Sequence, residues 1–144
     1  MGKKTGFSLI ELMIAIAVIA LLAALAIPHF SDNLKLAHET AAIEQIKTLH
    51  TMQAQYYAQF QRYANSLAEL GPPPAGAGLI PKKLADGGKS GYRFELRATA
   101  GGYALVALPE EFGKTGRRSF YSDETQVIRQ TWGPEPADAN SPEI

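Results

Sequence analysis

The apolar positions of this chain change period three times. Leu12 to Ile27 holds no charge, amide or hydroxyl, and between Phe7 and Pro28 the strongly polar side chains are Ser8 and Glu11 alone. A helix of about 20 apolar residues crosses a bilayer, and residues 7–30 meet that length. Pro28 removes a backbone donor and disfavours helical geometry at Ile27, so a kink or break is expected between Leu25 and Phe30. Ser31 or Asp32 is placed to cap a restart. From there to Tyr63 the pattern is helical and one-sided: Ile46, Leu49, Met52, Tyr56, Phe60 and Tyr63 recur at steps of three and four. Glu39, Glu44, Gln45, Lys47, Gln53, Gln55, Gln59 and Arg62 lie between them as the expected solvated face. The first half of this helix therefore needs lipid or other chains around it, and the second half needs a small domain against its stripe.

After Tyr63 the helical period stops. Residues 64–91 include "GPPPAGAGLIPKKLADGGKSG", a connecting loop that Leu79, Ile80 and Leu84 pin to a core. The period then becomes two. Tyr92, Phe94, Leu96 and Ala98 alternate with Arg93, Glu95 and Arg97. Thr99–Gly102 turns the chain, and Tyr103–Pro109 returns as a more apolar strand. "RRSFYS" and "QVIRQ" read as two more strands around Asp123-Glu124-Thr125. The predicted fold is α+β: a long N-terminal helix whose amphipathic half packs on a four-stranded antiparallel sheet within residues 92–130. Trp132 is expected to close one edge of the core, and the proline-rich tail, residues 131–144, to lie extended or disordered.

Composition adds mainly exclusions. Fourteen basic residues balance 14 acidic ones, which gives no general polyanion-binding surface and no specific nucleic-acid site. There is no cysteine, hence no disulfide, thiolate metal site or thiol nucleophile. His29, His38 and His50 are spaced by 9 and 12 residues, which puts successive rings on different helix faces and indicates no metal site. Asp123, Glu124 and Asp138 lack the ligand rhythm of a calcium loop. Gly76 and Gly78 lack the lysine and hydroxyl of a phosphate loop. Tyr56, Tyr57, Phe60 and Tyr63 could carry electrons, but packing between helix and sheet is the plainer reading. Arg117-Arg118 could contact a small anion or DNA, though a basic pair on a strand edge is more often solvated or discourages edge pairing. No nucleophile–base pair, catalytic carboxylate pair or cofactor loop is present, so an enzyme is not expected and neither is a cofactor.

The N-terminal run has three readings. A secretory signal peptide would be cut after Ala24-Leu25-Ala26, leaving proline beside the cut and a charge inside the apolar region. A plain anchor, with Lys3 and Lys4 keeping the N-terminus cytoplasmic, leaves Glu11 as an unexplained cost. The third rests on Lys3-Lys4-Thr5-Gly6 followed by Phe7-Ser8-Leu9-Ile10-Glu11 and then Pro28, which resembles the type III signal of the type IV pilin family. The close resemblance covers about Lys3–Phe30; beyond it only the order helix, loop, antiparallel sheet matches.

That resemblance implies a type IV pilin fold, cleavage after Gly6 by a prepilin peptidase, and N-methylation of the new N-terminus at Phe7. Residues 1–6 would be a cytoplasmic leader and residues 7–30 the transmembrane and filament-core helix. Residues 31–144 would be a periplasmic or extracellular domain made of helix 31–63, αβ-loop 64–91, sheet 92–130 and tail 131–144. Phe7 and Glu11 stand about one helical turn apart, so Glu11 could meet the amine of a neighbouring subunit displaced by a similar step. The plainer alternative has Glu11 snorkelling to the headgroups. Ser8 could bond back to the helix or sit at a packing contact. Pro28 would soften the helix during assembly. The implied partners are copies of the same chain in a helical filament, the peptidase/methyltransferase, an inner-membrane platform, an assembly ATPase and an outer-membrane secretin. The precursor would sit in the inner membrane and the product in an extracellular pilus serving adhesion, twitching motility or DNA uptake. The C-terminal disulfide common in the family is missing. A pseudopilin of type II secretion is the alternative within the superfamily, and a secreted binding domain the alternative outside it.

Overall fold

The computed structural model describes Gly2 and residues 6–144, at Pro28 and His29 through the backbone alone. The chain falls into two units, Met1–Asn33 and Leu34–Ile144. Helix α1 (Leu9–Phe60) contributes to both. Its helical backbone continues through Pro28, so Ser31 and Asp32 are interior helix residues and cap no restart. One missing donor is a small defect in a ladder of 52 residues, and the bonds on either side keep the helix running. The helix ends three residues before Tyr63. Gln61 takes a left-handed conformation (φ 55°), and its N–H donates to the Tyr57 carbonyl at 2.8 Å.

Within the second unit, α1 is followed by α2 (Leu67–Leu70), α3 (Lys82–Ala85), β1 (Gly88–Lys89), β2 (Tyr92–Ala98), β3 (Tyr103–Pro109), β4 (Arg118–Asp123) and β5 (Arg129–Trp132). The strands form one antiparallel sheet in chain order. It has five strands where the period-two pattern predicts four. The extra strand, β1, has two residues, Gly88 opposite Arg93 and Lys89 opposite Tyr92. Gly and Lys carry no alternation, so the strand was invisible within the glycine-rich loop. The turn at Ser90-Gly91, both at positive φ, makes the pairing possible. On β2, Tyr92, Phe94 and Leu96 point into the core while Arg93, Glu95 and Arg97 face solvent, as the alternation predicts, but Ala98 at the strand end is exposed.

Ala42, Ile46, Leu49 and Tyr56 of α1 pack into the same buried cluster as Tyr92, Phe94, Leu96, Leu105, Ala107 and Phe120 of the sheet. Ile80 and Leu84 are buried there as well, and Leu79 is partly buried. Gly116 has no room for a Cβ, because the Tyr92 ring and hydroxyl occupy that space and the hydroxyl donates to the Arg118 carbonyl at 2.7 Å.

Three polar residues of the expected solvated face are buried instead. Gln53 faces the chain beyond the helix end: its Nε2 donates to the Ala64 carbonyl at 3.1 Å and its Oε1 accepts from the Ala64 N–H at 2.9 Å. Gln45 is buried with Oε1 unbonded among the described residues. Glu39 accepts from the Arg117 backbone N–H at 2.8 Å and from the Arg118 guanidinium at 2.8 Å, with side chains 5% and 16% exposed. Periodicity assigned these positions by polarity alone, whereas the fold satisfies two of them internally.

Trp132 does not close the core. It is 65% exposed, with the Arg118 guanidinium over its ring at 5.1 Å. The tail folds back along β5. Gln130 N–H donates to the Pro142 carbonyl at 2.8 Å, Ile144 N–H to the Ile128 carbonyl at 3.1 Å, and Arg129 pairs with Glu143 at 3.1 Å. The Ser119 hydroxyl donates to the Glu135 carbonyl at 2.7 Å, and Ala137 and Ser141 are buried. These contacts cover a sheet edge that would otherwise present open backbone groups.

Candidate functional site

The features that demand a partner outside the chain lie on the first half of α1. Every described side chain from Phe7 to Ile27 is exposed. Leu9, Ile10, Leu12, Met13, Ile14, Ile16, Val18, Ile19, Leu21, Leu22, Leu25 and Ile27 form an apolar surface on all sides of the helix. This stretch is long and apolar enough to cross a membrane. Apolar surface of this extent is stable only in lipid or against other helices.

At its head Ser8 and Glu11 bond reciprocally. Ser8 N–H donates to Glu11 Oε2 at 2.8 Å, and Glu11 N–H donates to Ser8 Oγ at 3.3 Å. With Leu9 as the first helical residue, Ser8 is the N-cap and Glu11 the third position, which makes Ser8-Leu9-Ile10-Glu11 a capping box. The S-x-x-E spacing is the sequence signature of this box, and the local bonds take the place of the snorkelling expected of Glu11 and the back-bond or packing contact expected of Ser8. Glu11 also places its charge at the positive end of the helix, which is favourable. Gly6 and Phe7 precede the helix in non-helical backbone; Gly6 has nothing within 4 Å of where a Cβ would sit, and Phe7 is 86% exposed. Lys3 and Lys4 of the expected leader lie outside the described residues. Gly6, Phe7 and Glu11 are thus brought together at one end of the helix, and Pro28 stands farther along it.

The other sequence candidates lead to structure and not to a reaction site. Arg118 is tied to Glu39 and to Gln130 Oε1 at 2.8 Å. Asp123 accepts from the Thr125 N–H and hydroxyl at 3.0 and 2.5 Å, and Asp138 from the Asn140 N–H at 2.8 Å, so both carboxylates serve turns. Among the described residues no group of three His, Asp or Glu is placed to hold a metal. Of the aromatic cluster, Tyr56 is buried and Tyr63 partly so, whereas Tyr57 and Phe60 are about half exposed.

An apolar, capped N-terminal helix in a chain with a small antiparallel-sheet domain is consistent with the type IV pilin fold. Over parts of its length the chain is similar to type IV pilin proteins and to a type II secretion protein. Residues 1–27 match the prokaryotic N-terminal methylation motif. Residues 81–142 match a protein family of unknown function (DUF2950). The type IV major pilin protein PilA of Myxococcus xanthus is 38% identical over 72 residues, 50% of this chain and 33% of that protein. A fimbrial protein of Pseudomonas aeruginosa is 43% identical over 51 residues, 35% of this chain and 33% of that protein. The type II secretion system core protein G of Escherichia coli is 29% identical over 119 residues, 77% of each chain. The chain thus spans about a third of the length of the first two relatives. No solved structure matches it.

Proposed function

We propose that this chain is a structural subunit of a type IV pilus, made as an inner-membrane precursor and built by its N-terminal helix into an extracellular filament. The observation that carries the reading is the apolar surface of residues 9–27, uncovered on every side and in register with a methylation motif. In the precursor lipid covers this surface, and in the filament the same residues of other copies do. Apolar area stays buried in both, so the transfer has little hydrophobic cost.

In this reading a prepilin peptidase cuts after Gly6 and methylates the amine of Phe7. The capping box survives the cut, because it uses the Ser8 N–H and not the Phe7 amine. Glu11 Oε1 is then available to the amine of a neighbouring subunit, which compensates a carboxylate in an apolar bundle. Pro28 weakens the helix at one point where subunits pack. The platform, ATPase and secretin of the pilus machinery are the partners this function requires. The relatives are named as a major pilin, a fimbrial protein and a secretion-system core protein, and on this reading the chain is a building block and not an enzyme.

A second reading, a pseudopilin of a type II secretion system, is favoured by one observation: the secretion relative aligns over 77% of both chains. Mass spectrometry of the purified mature protein tests the class. An N-methylated Phe7 is expected, and an N-terminus at Ile27 would end the pilin reading in favour of a conventionally exported domain. Deleting the gene separates the other two: lost surface filaments support the pilin, whereas intact filaments with a retained exoprotein support the pseudopilin.

A further inference from the structure

One set of titratable side chains in the sheet domain takes no part in anchoring or assembly. His50 of α1 is 5% exposed and bonded at both ring nitrogens. Its Nδ1 lies 2.6 Å from the Tyr103 hydroxyl and its Nε2 lies 2.8 Å from Ser122 Oγ. Ser122 donates its own proton to the Val127 carbonyl at 2.8 Å, so Oγ must accept from His50 Nε2–H. The tautomer follows: the hydrogen sits on Nε2, and the bare Nδ1 accepts the hydroxyl of Tyr103. The same arrangement rules out Ser122 as an activated nucleophile, since its proton points away from the imidazole.

Tyr103 is 2% exposed, yet its ring is linked to the surface. Its centroid is 4.9 Å from that of Tyr63, and Tyr63 is 4.9 Å from Tyr57, which is 44% exposed. Among the described residues, Tyr103 is the member of this ring series whose hydroxyl is bonded to a base. A phenol that loses an electron becomes a very strong acid. It is therefore oxidised most readily where a base already holds its hydrogen.

We propose that Tyr103 and His50 form a redox-active tyrosine–histidine pair that traps oxidising equivalents striking the domain surface at Tyr57. The oxidant is an external one-electron acceptor of the oxygen-centred radical class. One electron passes from Tyr103 through Tyr63 and Tyr57 to that radical, which is reduced. The Tyr103 O–H bond breaks as an N–H bond forms at His50 Nδ1, leaving a neutral tyrosyl radical and an imidazolium protonated at both nitrogens. A soluble one-electron reductant returns the electron, and Nδ1 returns the proton. Burial raises the Tyr103 phenol above its ordinary value and lowers the imidazole of His50, so the resting pair is neutral on both sides. The Asp123 carboxylate favours the imidazolium once it forms. This activity is independent of the filament reading.

The test uses the full-length protein in detergent micelles with photogenerated ruthenium(III) tris-bipyridine as surface oxidant, read by transient absorbance and electron paramagnetic resonance. The wild type is expected to give a long-lived tyrosyl radical whose formation slows in deuterium oxide. Tyr103→Phe should remove that signal and leave short-lived radicals at Tyr57 and Tyr63. His50→Gln keeps an acceptor for Tyr103 and a donor for Ser122 but has no base to take the proton, so its radical should decay several-fold faster at an unchanged melting temperature. Tyr57→Phe should slow radical formation without shortening the lifetime. A radical of wild-type lifetime in Tyr103→Phe, or in folded His50→Gln, would reduce the pair to a packing contact and overturn the proposal. Should His50→Gln fail to fold, Tyr103→Phe alone decides.

Discussion

The two ends of α1 are built from the same kind of backbone and solve opposite problems. Leu12, Ile14, Val18 and Leu22 are all exposed, and no described side chain of this chain covers them. Ile46, Leu49 and Tyr56 are buried against the sheet of their own unit. The polar residues divide the same way. Glu11 is satisfied locally, by a residue three positions earlier. Glu39 is satisfied across the fold by Arg117 and Arg118, more than 70 residues away in sequence. One helix can therefore serve an intramolecular core and an intermolecular one, provided that a stripe gives way to an all-round apolar surface along its length.

Substitutions at the two ends should consequently damage different things. The largest expected effect lies at Glu39→Ala, which strands the mostly buried guanidinium of Arg118 and the N–H of Arg117. Breaking such a pair by removing one partner costs about 3–5 kcal/mol. Thermal unfolding followed by the near-ultraviolet signal of the domain should show the loss, while membrane insertion stays normal. Next in size is Val18→Lys, which puts a charge at the middle of the apolar stretch. It should cost about 2.5–3.5 kcal/mol of insertion free energy. Membrane fractionation should show the precursor leaving the bilayer, and the unfolding transition of the sheet domain should not move. A fall in domain stability from Val18→Lys, or an insertion defect from Glu39→Ala, would erase the division.

How much of this was legible in the sequence also differs between the two ends. The apolar run and its length needed no structure, because an all-round apolar helix has no orientation to guess. The alternation of Tyr92–Ala98 and the return at Tyr103–Pro109 were equally plain. What periodicity could not show was polar residues turned inward. Gln53 reads as solvated until the chain at Ala64 comes back to meet both ends of its amide. Glu39 reads likewise until β4 supplies a guanidinium. Strand β1 is too short and too poor in side chains to alternate. The partnership of His50 with Tyr103 joins residues 53 positions apart, and no local pattern encodes it. The tail, residues 131–144, reads as extended or disordered from its prolines and polar groups, and hydrogen bonds to the edge of β5 hold its end in place. The capping box is the exception, a purely local signal carried by the S-x-x-E spacing of Ser8 and Glu11.

Smaller effects sharpen the comparison at each end. Ser8→Ala removes the acceptor for the Glu11 N–H and should weaken the helix start by about 0.5–2 kcal/mol. Amide hydrogen exchange in micelles should show residues 9–12 opening faster. Glu11→Gln separates two roles of one side chain, since glutamine also completes a capping box but carries no charge. Its amide protection should fall only slightly, by the charge lost at the helix start, while filament yield falls clearly. Normal filament yield from Glu11→Gln would remove charge pairing from the assembly argument, and lost protection would show that the carboxylate, and not the box, holds the helix start.

The smallest expected effect is a pH dependence at the far end of the same helix. Glu69 accepts from Arg62 Nη1 at 2.8 Å, from the Tyr56 hydroxyl at 3.0 Å and from the Asn65 N–H at 3.3 Å, and so clamps the chain as it leaves α1. Partial burial pushes the Glu69 carboxyl upward, but the hydrogen bonds from Arg62, Asn65 and Tyr56, with the Arg62 charge, together hold it below its ordinary value. A carboxyl lowered on folding stabilises the fold fully above its unfolded-state value, and the contribution disappears as pH falls through the lower folded-state value. The clamp is therefore intact at neutral pH and lost in acid. Glu69→Gln keeps an acceptor but cannot titrate. Its melting temperature should lie below wild type at pH 7, and the gap should close under acid conditions. A gap that stays constant across that range would mean that Glu69 acts by shape and hydrogen bonding alone.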